Sequence, residues 1–523
     1  MFNSVRIIAL LNACSVALGA NGWRMPACSG GPRNMQPRAP DNGNGHRMSF
    51  IKDTLRRLFI TTCMMTRTTE LAAQRLGAGF FLPALFVLRY ASMGGLDPRL
   101  FAKQLNGVRS FKDEAWCGYW NALAREQLTS IERLLPGFMG TFDTAPADAA
   151  RAGVPNWHAL RDALSPYGKR VVELMTQSES GAVAKSSDGE QASPGSHQAM
   201  TALRCLIKAI TYYQVSAFPG GSKPRMAAYA LSRSLFNELI DIVGPLVGMV
   251  IEKHRIDVEG DVVEGYLMTP AGCQRHPLAI ITNGLEGTVQ ELAIPLLRYH
   301  DSGMAVFIME MPGTYAYRQP MSLASENIYH AVIDNLSGHQ RVDPLRMGFV
   351  GVSFGAYWAA RMAGTSSKLR CAVACGAPTH HSFKVKNTIG IPDIIIKALL
   401  NTTGAVTLIA LGLKLKALSL HERYRQIKIP LLVINGEKDT LLSTQDSIDL
   451  AKGAQQGTLK LYPDDDHCAM GHYNDWLDLS QTWMRKHLVP GVSHVHSDTQ
   501  ATEEGHALAP SKPRSAQVNG LAG

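Results

Sequence analysis

Residues 347–364, MGFVGVSFGAYWAARMAG, fit an apolar β-type run, the pentapeptide Gly351-Val352-Ser353-Phe354-Gly355 and a helical run into one short stretch. The strand must stop and the helix must start within a few residues. A serine caught between them sits on a strained turn with its hydroxyl projecting above a sheet. Gly351 and Gly355 occupy the positions where strand and helix backbones approach too closely for a side chain. A G-x-S-x-G pentapeptide in that context is the signature of a nucleophile elbow, and it directs the search for partners into the chain order serine, acid, histidine.

Both partners are present in that order. Residues 430–436, PLLVING, form an apolar run of buried-strand type, and Glu437-Lys438-Asp439 follow at its carboxyl end, where open α/β sheets carry functional loops. Asp439 is the expected acid, with Glu437 as the alternative. A last β-type segment, TLKLYP at 458–463, leads into Asp464-Asp465-Asp466-His467, which makes His467 the expected base and His472 its alternative. Each residue alone reads as a turn aspartate or a solvated histidine; three in order, each at a strand's carboxyl end, read as a triad. The expected fold is an α/β-hydrolase, a mostly parallel sheet with helices on both faces, preceded by an N-terminal helical domain.

With 523 residues, 46% of them hydrophobic, the chain can fill two structured domains with tails. The net charge of +9 invites a nucleic-acid reading. However, eight cations before residue 58 (Arg6, Arg24, Arg33, Arg38, Arg47, Lys52, Arg56, Arg57) face two acids (Asp41, Asp53), so 8 − 2 = +6 lies there. The remainder is nearly balanced and no basic stripe interleaved with aromatics is visible, so nucleic acid is not an expected partner. Nine cysteines without a C-x-x-C pair suit reduced thiols in a cytoplasmic enzyme. His380-His381 and the acidic run at 464–466 lack metal-ligand spacing, and there is neither a Walker loop nor a G-x-G-x-x-G, so no metal and no cofactor is expected.

Residues 1–47 read as a disordered leader or, alternatively, a signal segment for export. Residues 48–245 read as helical. Ser110 is an expected N-cap with Asp113 three residues on; Trp116, Trp120 and Leu123 share one face, and Leu203, Leu206, Ile207, Ile210 and Tyr213 form a core stripe. Residues 178–197 read as a Ser/Gly linker. Residues 246–490 hold the catalytic domain with a cap insertion at about 379–428, and 491–523 read as a disordered tail. Within the insertion, IGIPDIIIKALLNTTGAVTLIALGL is strongly apolar, but Pro392, Asp393 and Lys397 favour two helices lining an apolar pocket over a stable membrane span. A membrane-surface helix is the lesser alternative.

Further stretches carry a resemblance over residues 200–490: ITYYQVSAFP at 210–219, VVEGYLMTPAG at 262–272, TNGLEGTVQE at 282–291 and MEMPGTYAYR at 309–318. These resemble the esterase family of the fermentation-respiration switch protein, with its relatives the dihydroxypseudooxynicotine hydrolase and the fungal heptaketide-shortening pigment hydrolases. The resemblance implies a helical region packed over the catalytic mouth, and a homodimer. It also implies an oxyanion loop at 282–291, with backbone N–H donors from Leu285 and, after the nucleophile, Phe354. In carbon–carbon-cleaving members a glutamate in the G-L-E context is catalytic, which points to Glu286; otherwise it is a solvated loop carboxylate. The expected substrate is a small ester or thioester, or an aromatic ketone. The alternative outside catalysis is a regulatory binding protein on a hydrolase fold.

Overall fold

The alternating apolar segments assemble as expected of strands that helices cover on both faces. The computed structural model describes residues 44–138, 155–176, 194–258, 260–384 and 390–489. Eight strands run β1 (Met249–Val258), β2 (Asp261–Pro270), β3 (His276–Thr282), β4 (Ala305–Met309), β5 (Val342–Val352), β6 (Leu369–Cys375), β7 (Leu431–Gly436) and β8 (Gly457–Tyr462). They form one sheet in the order β1-β2-β4-β3-β5-β6-β7-β8. The β1–β2 hairpin is antiparallel and β2 pairs antiparallel with β4, whereas β4, β3, β5, β6, β7 and β8 are mutually parallel. The central strands are buried end to end, β3, β4 and β7 at every residue, which is why their sequences are continuous apolar runs.

Two cores flank the sheet. On one face, helices Glu326–Ser337, Phe354–Thr365 and Thr444–Gly453 bury Tyr329, Trp358 and Leu450 against Ile280, Phe349 and Val433. On the other, helix Tyr473–Leu488 supplies Trp476 and Met484 against Ile281, Val350 and Val373. That second core continues without a break into the N-terminal helices Pro194–Ala217 and Lys223–Leu246, through Leu203, Leu206, Ile210 and Phe236. The expected stripe is therefore buried, but much of it is spent on completing one face of the hydrolase core. A third, aromatic core lies within the N-terminal helices, where Trp116 and Trp120 pack edge to face and Phe101 and Tyr212 stand against Trp120. Residues up to Val489 belong to one compact unit.

Two sequence readings shift. Helix Asp113–Leu134 starts at Asp113 and is not capped by Ser110, whose hydroxyl is drawn to the Glu70 carboxylate instead; Asp113 pairs with Arg225 at 2.8 Å. The hydroxyl donates to Glu70 and accepts from the Lys112 N–H at 3.1 Å, so Ser110 ties the turn two residues before the N-cap position, Lys112. Helix Pro194–Ala217 begins inside the stretch read as a linker, the rest of which, like the leader up to residue 43 and the 491–523 tail, lies outside the described residues. The apolar insertion forms two helices, Asp393–Thr403 and Leu408–Ala417, as the composition implied.

Candidate active site

Ser353 lies between β5 and the helix that starts at Phe354, with φ 56° and ψ −124°. An L-residue pays a steric penalty there, and here it is imposed from several sides. The Ser353 N–H donates to the Cys375 carbonyl at 2.7 Å, and a side chain at Gly351 would strike the Gly355 carbonyl. One at Gly355 would strike the carbonyls of Thr282 and Asn283 on the neighbouring strand end. Close backbone packing thus presses the serine outward.

His467 follows β8 on a turn in which Cys468 and Ala469 take left-handed conformations, φ 57° and 47°. Its Nε2 stands 2.8 Å from Ser353 Oγ and its Nδ1 2.8 Å from Asp439 Oδ2. Both side chains are almost wholly shielded from solvent. Burial opposes the imidazolium, but the adjoining Asp439 carboxylate outweighs it and raises His467 well above the ordinary imidazole range. Burial likewise works against an ionised Asp439; the His467 ring, the Leu442 amide and Asn435 outweigh it and hold the carboxyl low. The Cys468 thiol lies 3.3 Å from His467 Nε2, and burial keeps it protonated, well above the usual thiol range.

The alternatives sit elsewhere. His472 Nδ1 bonds Asp465 at 2.8 Å and its ring stacks on Tyr462, while Glu437 is exposed. Sequence reasoning missed Asn435, the last polar residue of β7. Its Nδ2 donates to Asp439 Oδ2 at 2.9 Å while its Oδ1 accepts from Cys468 N–H at 2.9 Å, so one amide orients both the acid and the histidine turn. An asparagine inside an otherwise apolar strand was the available signal.

The loop after β3 closes a tight turn, Gly287 N–H donating to the Gly284 carbonyl at 3.0 Å. A side chain on Gly284 would come within 3.0 Å of Phe354 N, so this loop lies against the amide after the serine. Phe354 opens a helix and has no intrahelical acceptor for its N–H. Glu286, third in the turn, has φ 55°, where glycine or asparagine is the norm. Three bonds hold it: its carbonyl accepts from Arg89 at 2.8 Å and from Tyr315 Oη at 3.2 Å, and its Oε2 accepts from Gly220 N–H at 2.8 Å. Burial lifts its carboxyl to about 7. The carboxyl points towards the 218–222 turn and is not part of the wall around Ser353.

Arg89, also missed, grips Glu291 through two oxygens at 2.8 and 2.9 Å, and Glu291 accepts from Asn283 Nδ2 at 2.9 Å. It lies in helix Ala84–Gly94, so the N-terminal helices reach into the loop from above. Nothing in the spacing of a lone arginine some two hundred residues upstream announces this.

Ser353 and His467 stand in the wall of a cavity of about 380 Å³ whose other walls are mostly apolar, among them Phe86, Phe218, Phe383, Ile396, Leu411 and Leu415. Among the described residues, Glu252, His254 and His339 come close enough to share a cation, on β1 and before β5. His339 Nδ1 accepts from the Arg341 N–H at 3.3 Å, which leaves its proton on Nε2, and the Arg341 guanidinium lies 4.0 Å from Glu252. Within the set, His254 and His339 Nε2 both stand in hydrogen-bond distance of Glu252 Oε2, at 3.3 and 3.1 Å.

Comparison with known proteins agrees with this architecture. A crystal structure of 2,6-dihydroxy-pseudo-oxynicotine hydrolase superposes with a TM-score of 0.54 at 20% identity over 77% of this chain and 96% of that one, a likeness of fold. Esterase FrsA of Vibrio cholerae is 25% identical over 293 residues, 54% of this chain and 70% of the relative. The 2,6-dihydropseudooxynicotine hydrolase of Paenarthrobacter nicotinovorans is 25% identical over 246 residues, 44% of this chain and 63% of that protein. Residues 187–489, which hold the whole sheet, Ser353, Asp439 and His467, match the model described as Esterase FrsA-like, and the chain belongs to the FrsA-like family of α/β-hydrolase esterases.

Proposed function

We propose that the protein is a serine hydrolase acting on carboxylic esters or thioesters through an acyl-enzyme. The observation that carries this is the continuous hydrogen-bond line from Ser353 Oγ through His467 to Asp439, 2.8 Å at each step, opening on an apolar cavity. Ser353 Oγ attacks the carbonyl carbon as its proton passes to His467 Nε2. The oxyanion is held by the N–H groups of Leu285 and Phe354. Collapse expels the alcohol or thiol with the proton from His467, and leaves the acyl group on Ser353. Water then attacks the acyl-enzyme, His467 takes its proton, and the carboxylic acid leaves as the proton returns to Ser353. Asp439 keeps the imidazole in the tautomer that presents Nε2 to the serine.

In this reading Glu286 positions the oxyanion loop, since its carboxyl is engaged with Gly220 and not with the space above Ser353. A carbon–carbon hydrolase would need that carboxyl, raised to about 7 by burial, to turn and protonate a leaving carbon. The test is hydrolysis of a dissolved short-chain p-nitrophenyl ester. Ser353→Ala and His467→Ala are each expected to lose several orders of magnitude in kcat with the fold intact by circular dichroism. Near-normal turnover by Ser353→Ala would refute the reading, leaving the regulatory alternative.

A further inference from the structure

The cover of the Ser353 cavity is apolar on both sides. Helices Asp393–Thr403 and Leu408–Ala417 meet at Gly404, which takes a left-handed φ of 61°, and Thr407 caps the second helix through Ala410 N–H. Their inner residues Ile396, Leu399, Leu411 and Leu415 form part of the cavity wall. Their outer side presents Val406, Ile409 and Leu413 to solvent at 91%, 79% and 66% exposure. Isolated apolar side chains at a surface are ordinary; three spaced three and four residues apart on a cover one helix thick are not. At the edge of the same cavity Met65, at 67% exposure, extends the apolar rim from helix Asn44–Met65.

Among the described residues no single helix is long and apolar enough to cross a membrane, yet this pair, Asp393–Thr403 with Leu408–Gln426 bent by 64°, has that composition when taken together. A broken apolar pair on the outside of a hydrolase is suited to lying on an apolar phase. Charge agrees with this. The two helices hold Lys397, Lys414 and Lys416 against Asp393 alone, and Lys397 already pairs with Asp393 at 3.2 Å. The excess is cationic and sits beside the exposed leucine and isoleucine. A second copy fits less well, because four or five such side chains offer roughly a few hundred Å², short of the about 800 Å² per partner of a stable interface.

We propose that these two helices dock on an anionic lipid surface, from which the Ser353 site takes acyl esters that do not dissolve in water. The inference rests on the esterase reading for its substrate and on the helix pair for its binding. On this account the cavity receives the acyl chain, and the basic, apolar outer face holds its mouth against the surface that supplies the chain.

The experiment separates the two parts. Full-length Ser353→Ala is sedimented with vesicles of phosphatidylcholine mixed with phosphatidylglycerol, and again with the added changes Ile409→Asp and Leu413→Asp. Burial of two such side chains predicts that the charged variant partitions on the order of a hundredfold more weakly. In the otherwise unchanged enzyme the same pair should abolish the rise in rate seen when tributyrin passes its solubility limit, and leave turnover of dissolved p-nitrophenyl acetate within a few fold. Absence of vesicle binding, equal binding by the charged variant, or a dimer in size-exclusion chromatography that the two aspartates convert to monomer would each overturn the proposal. Loss of all ester turnover with vesicle binding intact would count against the esterase reading instead.

Discussion

Ser353 and Glu286 share a positive φ, 56° and 55°, that residues with a side chain seldom adopt, on adjoining loops at the carboxyl ends of neighbouring strands, but different parts of the chain hold them there. Around Ser353 the restraints come from the sheet: the Cys375 carbonyl, the glycines of the elbow and the ends of β3 and β5. Around Glu286 they come mainly from outside it: Arg89 and Gly220 belong to the N-terminal helical region, and Tyr315 to the loop after β4. The geometry of the proposed nucleophile is a property of the sheet, whereas the geometry of the proposed oxyanion loop is conferred by the helices above. The N-terminal region is then part of the machinery as well as its cover.

The largest effect that sharpens this contrast is on the sheet-held side. Asp439→Asn keeps the shape and removes the charge that raises His467; kcat is expected to fall by about four orders of magnitude as the imidazole takes the wrong tautomer. The wild-type acid limb has a sign that follows from the same pair. The base must be neutral, and Asp439 lifts its pKa, so kcat/KM should already decline at pH values above the ordinary imidazole range as the medium is acidified. A pH–rate profile of both proteins checks this.

The helix-held side should break more gently. Removing Arg89 alone strands the buried Glu291 carboxylate, so the double change Arg89→Gln with Glu291→Gln is the informative one. We expect kcat to fall about ten- to a hundredfold with KM little altered, as when an oxyanion donor is misplaced. Unchanged kcat would show that the loop holds itself and would dissolve the contrast.

How much of this was legible beforehand follows the same division. Ser353, Asp439 and His467 each close a short apolar run with a local turn signal, so periodicity and chain order were enough to pick out three residues that the fold joins by hydrogen bonds. The same patterns gave the strands and the two-helix insertion. Arg89, Glu291, Asn283 and Asn435 act through contacts across the fold, and a buried polar residue within a helix or strand does not name its partner in the sequence. Ser110 lies two residues before the N-cap position, Lys112, and its tie to Glu70, forty residues away, is equally invisible in the sequence. The exposed outer face of helix Leu408–Ala417 was hidden too, since an apolar helix does not state which side is covered.

Smaller effects refine the picture. Glu286→Gln keeps an acceptor for Gly220 N–H, so ester turnover should change by no more than a few fold. A much larger loss on an aromatic ketone substrate than on the ester would restore the carboxyl to a chemical role. Glu310, buried against Tyr229 at 3.0 Å and raised by burial from 4.5 to about 7, tests the junction between sheet and helices through stability. Its folded pKa lies above the unfolded one, so its contribution is full below about 4.5 and is lost as pH rises through about 7. Glu310→Gln should therefore gain in Tm relative to wild type across that window, by differential scanning fluorimetry at a series of pH values.

The central claim, a serine positioned by the turn that the sheet imposes and activated by His467, is tested most directly by treating the full-length protein with a fluorophosphonate and locating the adduct by peptide mass spectrometry. The account predicts a single stoichiometric adduct on Ser353, absent from Ser353→Ala and strongly slowed in His467→Ala. An adduct on another residue, or none on a folded protein, would contradict it.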